Sequence, residues 1–161
     1  VALRAEVGRT TVHRRWGTPV GLVADLLADM AEQSLPRTET GTLLGDLRAN
    51  ARLVQRTCPT PAKALCKSVI AAATCDTQAA AALHRFYEIR VPEWEPCARQ
   101  AVERGELPEG TDTREVIRAV SAPLYYRLLT TAEPLDETAA DRAADTAAAA
   151  ARAGAFVGPA H

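Results

Sequence analysis

The sequence predicts an all-α protein: a partial helix-turn-helix segment followed by a helical bundle. Three observations carry this. Apolar residues recur at helical spacing along nearly the whole chain, and no segment alternates with the period of two that a half-buried strand requires. Alanine occurs 33 times in 161 residues, and it is the best helix former. Capping residues, prolines and glycines punctuate the apolar stripes where helices would start and stop.

Taken in order, Val1 to Gly8 reads as a short helix with a turn, and Arg9 to Arg15 as a second helix. Val20, Leu22, Val23, Leu26, Leu27 and Met30 form the stripe of a third, with Thr18 as N-cap, Pro19 in the first turn and an end near Leu35-Pro36. Leu44, Leu47, Ala51 and Val54 mark the next, ended before Pro59-Thr60-Pro61. Another runs from about Pro61 to Cys75. Asp76 or Thr77 then caps a helix carrying Ala80, Leu83, Phe86 and Tyr87 to about Val91, and Pro92 opens a separate one that ends at Gly105. Asp112-Thr113-Arg114-Glu115 is a capping box before the stripe Val116, Val120, Leu124 and Leu128, inside which Pro123 predicts a kink. The last helix starts near Asp136 and is alanine-rich through Ala155.

Composition excludes several classes. At 47% hydrophobic and 24% charged the chain is an ordinary globular one. No apolar run approaches the ~20 residues of a membrane span, so no membrane partner is expected. Aromatic residues make up 4%, too few for a single-strand binder built on stacking platforms. Cys58, Cys66, Cys75 and Cys97 form no C-x-x-C pair, and His13, His84 and His161 are scattered, so no metal and no cofactor are expected. The cysteines read as buried reduced thiols of a cytoplasmic protein, with a redox sensor as the other reading. No Gly-rich phosphate loop, G-x-S-x-G or H-E-x-x-H is present, so no catalytic residues and no enzyme are expected.

Charge is uneven along the chain. Residues 1–16 hold Arg4, Arg9, Arg14 and Arg15 against Glu6, while the rest of the chain is net acidic. A basic end on an acidic body is the layout of a nucleic-acid-binding element joined to a larger module, and equally of a solvated charge cluster at a terminus. Within Arg9 to Trp16, Val12 and Trp16 can face inward while Arg9, Thr10, Thr11, His13, Arg14 and Arg15 stay available to phosphates and base edges.

The string Arg9-Thr10-Thr11-Val12-His13-Arg14-Arg15-Trp16, followed by Thr18 and Leu22-Val23, resembles the end of the DNA-binding domain of the tetracycline-repressor (TetR) family. Arg104-Gly105-Glu106-Leu107, Ala122 to Leu129 and Glu133-Pro134-Leu135-Asp136 resemble the final helices of one branch of TetR-type effector domains. Three positions depart from the pattern. Glu6 takes the place where a glycine turns most easily, His13 stands for the usual tyrosine, and Pro19 for a lysine that anchors the DNA backbone. The resemblance also implies a further helix upstream of Val1, so this chain is expected to lack the natural start.

What the resemblance implies is a ligand-responsive regulator, in the usual mode a repressor, binding a palindromic operator as a homodimer. Residues 1–18 would be the remainder of the DNA-binding domain, 19–35 the linking helix and 36–161 the effector-binding and dimerisation domain. Arg9, Thr10 and Thr11 would lie nearest base edges or their phosphates, and His13, Arg14 and Arg15 mainly on phosphates. The effector is an unknown small molecule, with Phe86, Tyr87, Trp94 and Tyr125 as pocket walls, although each also reads as plain core. His84 and Glu88, one turn apart, read as a surface pair. Leu124 and Leu128, with the small Ala139, Ala143 and Ala147, would form the dimer interface, or alternatively intramolecular core. The rival to the regulator is a helical dimer that binds a ligand or a protein but not DNA.

Overall fold

Caps decide where the helices of the computed structural model start and stop. The structure describes residues 38–57, 70–131 and 133–158 without interruption, together with Thr10, Arg14, Trp16, Gly17, Thr18, Gly21, Leu22, Asp25, Leu27, Ala28 and Ser68. The described residues are all-helical apart from turns and one isolated bridge, Thr111 to Val157. The helix expected over Val1 to Gly8 lies outside them, as does the part up to Lys67 of the helix expected from about Pro61 to Cys75, whose described residues are helical at Ser68 and from Ile70 to Ala73.

Four helices have defined bounds: α1 Leu43–Thr57, α2 Thr77–Glu103, α3 Thr113–Thr130 and α4 Glu137–Arg152. Asp76 caps α2 by accepting the N–H groups of Gln78 and Ala79 at 2.8 and 2.9 Å. Asp112 caps α3 through Arg114 N and Glu115 N at 3.0 and 3.1 Å. The reciprocal half of the expected capping box does not form. The Asp112 N–H donates instead to the Phe156 carbonyl at 2.8 Å, and Glu115 pairs with Arg118. Asp136 caps α4 through Ala139 N at 2.8 Å.

The stops are glycine-based. Gly105, at φ 74°, ends α2 with Glu106 N–H on the Ala101 carbonyl and Gly105 N–H on that of Val102. Gly154, at φ 80°, ends α4 in the same way through Ala150 and Ala151. A residue in the left-handed region, where side chains are penalised, thus satisfies carbonyls that a helix end leaves open. The last helix therefore stops at Arg152, short of the expected Ala155.

One expectation is corrected. The two helices expected on either side of Pro92 are a single helix, α2, which carries both Pro92 and Pro96 in its interior. A proline inside a helix removes one backbone hydrogen bond and adds a clash with the preceding turn, but it does not oblige the chain to stop. Here the turns on either side continue. Pro123 likewise lies inside α3, with its ring exposed.

The chain divides into two compact units. One comprises residues 1–34 and 65–89, the other 35–64 and 90–161, so α2 contributes to both. In the first, Leu27 and Ala82 are buried, with Leu83 and Phe86 packed against them. In the second, α4 packs on α1 and α3, and α1 on α3. Its core joins Leu43, Leu47 and Ala51 of α1, Trp94, Cys97, Ala98 and Ala101 of α2, Val116, Ile117, Val120 and Leu124 of α3, and the alanine stripe of α4. That stripe is Ala140, Ala143, Ala144, Ala147, Ala148 and Ala151, all buried. Its spacing follows one helical face.

Candidate functional site

Thr10 and Arg14 both have helical backbone and exposed side chains, one turn apart. Arg9, Thr11, His13 and Arg15 lie outside the described residues. After Trp16, Gly17 takes a positive φ of 65° and the Thr18 N–H turns back to the Trp16 carbonyl at 2.6 Å. Thr18 is then the expected N-cap: its Oγ1 accepts the Gly21 N–H at 3.1 Å, and its carbonyl takes the Leu22 N–H at 3.3 Å. Two residues here were not singled out by sequence reasoning. The Trp16 indole Nε1–H donates to Asp25 Oδ2 at 2.8 Å. A Cβ on Gly21 would collide with the Trp16 carbonyl. Both are tertiary relations without a local sequence signal.

The four expected wall residues fall in different places. Phe86 and Tyr87 are half-buried and meet edge to face, with ring centroids 5.4 Å apart, and Phe86 belongs to the cluster of Leu27 and Ala82. Trp94 is buried in the core of the other unit, and Tyr125 is half-buried on α3. His84 and Glu88 are both exposed on α2.

Polar groups that sequence reasoning missed sit at the start of α1. Asp46 is fully buried, and its Oδ1 accepts both the backbone N–H and the hydroxyl of Thr40, at 2.7 and 2.8 Å. Gly45 makes room for that Thr40 side chain, which a Cβ would strike. Asp46 Oδ2 and, one turn further, Asn50 Nδ2 are buried without a hydrogen-bond partner among the described residues. An acceptor and a donor left unpaired together in an apolar core are costly. Glu106 reaches the same helix end from the turn after α2: its carboxylate accepts the Leu43 N–H at 3.0 Å and pairs with Arg104 at 2.8 Å and Arg152 at 3.5 Å. Burial pushes the Glu106 carboxyl up, but the Leu43 N–H and the two guanidinium groups outweigh it and hold it below the usual carboxylate range.

Along the α1–α4 seam, Arg48 grips Asp145 at 2.8 and 3.1 Å, and Arg52 grips Asp141 at 2.7 Å through two nitrogens. Arg52 also meets Glu137 at 2.8 Å. The Arg52 hydrogen bonds lower the Asp141 carboxyl pKa, against a smaller upward push from burial.

Of the expected interface residues, Leu124, Leu128, Ala143 and Ala147 are 2%, 1%, 5% and 2% exposed within a single chain, which favours the alternative of intramolecular core. Ala139 is half-buried and borders the opposite face of α4. Periodicity finds an apolar stripe but does not say which chain covers it. On the outer faces, Arg118, Ala122 and Tyr126 of α3 and Arg142, Thr146, Ala149 and Ala153 at α4 are exposed.

Among the described residues no group of His, Cys, Asp and Glu could hold a metal ion, and no helix is long and apolar enough to cross a membrane. Cys97 is buried and Cys75 exposed, while Cys58 and Cys66 lie outside the described residues.

A helical body whose last two helices pack on each other, preceded in the chain by exposed, helical Thr10 and Arg14 and a capped turn, is consistent with the class of helix-turn-helix transcriptional regulators. Residues 37–147 match the family described as tetracyclin repressor-like, C-terminal domain, and the chain belongs to this TetR family. YdeS of Bacillus subtilis (strain 168), described as an uncharacterized HTH-type transcriptional regulator, is 25% identical over 139 residues, covering 86% of this chain and 70% of that protein. The crystal structure of a protein described as a TetR-family transcriptional regulator, from Mesorhizobium loti, superposes with a TM-score of 0.66 at 17% identity, covering 95% of this chain and 83% of that one. At that identity the likeness is one of fold.

Proposed function

We propose that this TetR-family regulator binds a palindromic DNA operator as a homodimer in the cytoplasm, acts as a repressor, and releases the operator when a small molecule binds its body. The reading divides the chain into a DNA-binding segment over residues 1–18, a linking helix over 19–35 and an effector and dimerisation domain over 36–161. Its main support is the exposed pair Thr10 and Arg14 on a helical segment tied directly to the next helix, in a chain of this family. Arg14, with His13 and Arg15, contacts phosphates, and Thr10, with Arg9 and Thr11, reads base edges. Trp94 and Tyr125 in one unit, or Phe86 and Tyr87 in the other, supply the aromatic surface for the effector. The dimer forms through the outer faces of α3 and α4, around Ala122, Tyr126, Ala139 and Ala149, which are small or aromatic and exposed or half-buried in the single chain.

Selection from a random double-stranded DNA library at two salt concentrations tests this. Enrichment of one palindrome with half-sites about 34–36 Å apart, and an affinity that falls steeply with salt, is the expected result. A folded protein that enriches nothing at low salt would instead be a ligand- or protein-binding helical module. Tyr126→Asp should give a monomer with unchanged helicity by light scattering and circular dichroism, and a variant that stays dimeric places the interface elsewhere.

A further inference from the structure

Gly21 and Asp25 are four residues apart and share one face of the helix that Thr18 caps. Trp16 lies along that face. Its carbonyl occupies the space where a Gly21 side chain would begin, and one turn further its indole N–H meets the Asp25 carboxylate at 2.8 Å. The backbone and the side chain of Trp16 are thus held by successive turns of the same helix. Neither contact is buried, so neither contributes much to folding.

We infer that Asp25 and Gly21 are positioning residues for DNA recognition: they fix Trp16, and through it the segment bearing Thr10 and Arg14, at one angle to the linking helix. This rests on the regulator reading above. The need for such a clamp follows from leverage. Thr10 precedes Trp16 by six residues, about 9 Å along a helix axis. A tilt of about 15° at Trp16 then moves Thr10 by roughly 2 Å, enough to break a hydrogen bond to a base edge, whose length tolerance is a few tenths of an ångström. Phosphate contacts survive such a shift better, because attraction between charges falls slowly with distance. Loss of the clamp therefore degrades sequence choice before it degrades general DNA affinity.

The test is Asp25→Ala in the natural full chain, measured on the selected operator and on random DNA, with the melting temperature as control. Removing a carboxylate near DNA tightens non-specific binding or leaves it unchanged, while losing the clamp weakens operator binding by about tenfold, the value of roughly one base contact. Asp25→Asn, which keeps a carbonyl acceptor, should recover most of the operator affinity. Gly21→Ala, which forces the Trp16 carbonyl away, should reproduce the loss. Tighter binding to both DNAs means that Asp25 acts only through its charge. Equal loss on both with a lowered melting temperature means that it acts only on folding. Either result overturns the inference. In the free protein the Trp16 indole N–H resonance, assigned by its disappearance in Trp16→Phe, should shift in Asp25→Ala. An unmoved resonance overturns the clamp itself. A moved resonance in a chain that selects no DNA sequence overturns the regulator reading, and with it the role in recognition, while leaving the bond intact.

Discussion

Glu106→Ala should destabilise the body through one carboxylate that serves three donors. Its oxygens accept the first N–H of α1, from Leu43 at 3.0 Å, and pair with Arg104 at 2.8 Å and Arg152 at 3.5 Å. Loss of a helix cap costs about 1 kcal/mol, and partly exposed ion pairs contribute about 0.2–1 kcal/mol each. The sum is about 2 kcal/mol. At this chain length about 2–4 °C of melting temperature corresponds to each kcal/mol, so thermal unfolding at neutral pH should shift down by about 4–8 °C.

Acid supplies an internal check. Because the folded-state pKa of Glu106 is depressed, the unfolded chain takes up its proton more readily than the folded one. Its contribution is complete above the ordinary glutamate pKa of about 4.3 and is lost as pH falls through the lower folded value. Wild type and Glu106→Gln, which retains an acceptor for Leu43, should therefore differ at pH 7 and converge as the solution is acidified through that window. A Glu106→Ala melting temperature within 1 °C of wild type at pH 7, or a gap that is independent of pH, would refute the reasoning.

The Arg52–Asp141 pair should show a small favourable double-mutant coupling in urea unfolding at low salt, because it is bidentate but open to solvent, and the coupling should vanish at high salt. Asn50→Leu should raise the melting temperature by removing a buried donor without a partner among the described residues, and a lower melting temperature would show that the amide is satisfied. Leu124→Ala should cost about 2–5 kcal/mol by opening a cavity at a 2% exposed site, and a loss under 1 kcal/mol in urea unfolding would show that the core collapses around it.

Signals confined to one turn of chain were legible before the fold was. Asp112, Asp136 and Gly105 act as caps wherever a helix begins or ends, so their roles follow from a few neighbouring residues. Pro92 misled for the same reason: its local meaning is a stop, yet the helix continues on both sides of it. Glu106 and Leu43 are 63 positions apart, and Arg52 and Asp141 are 89 apart, so neither partnership could be read from a pattern. The TetR resemblance identified the family, and helical spacing placed Thr10 and Arg14 on an exposed face. The Trp16–Asp25 bond beside them depends on how two helices meet, which residue spacing does not encode.

The alanine stripe of α4 explains why the polar contacts around it matter. An alanine buries little more than a methyl group, so a helix of alanines gains a fraction of what leucines would give. In exchange it lets a neighbouring backbone come close. Leu47 and Ala51 of α1 share the core with Ala144 and Ala148. Between the same two helices, Arg48 reaches Asp145 and Arg52 reaches Asp141, each through two nitrogens. A larger residue at Ala144 should push on both helices, so its cost should fail to add to that of removing either ion pair. The outer face of α4 repeats the small-residue character at Ala149 and Ala153, without such charges opposite it among the described residues.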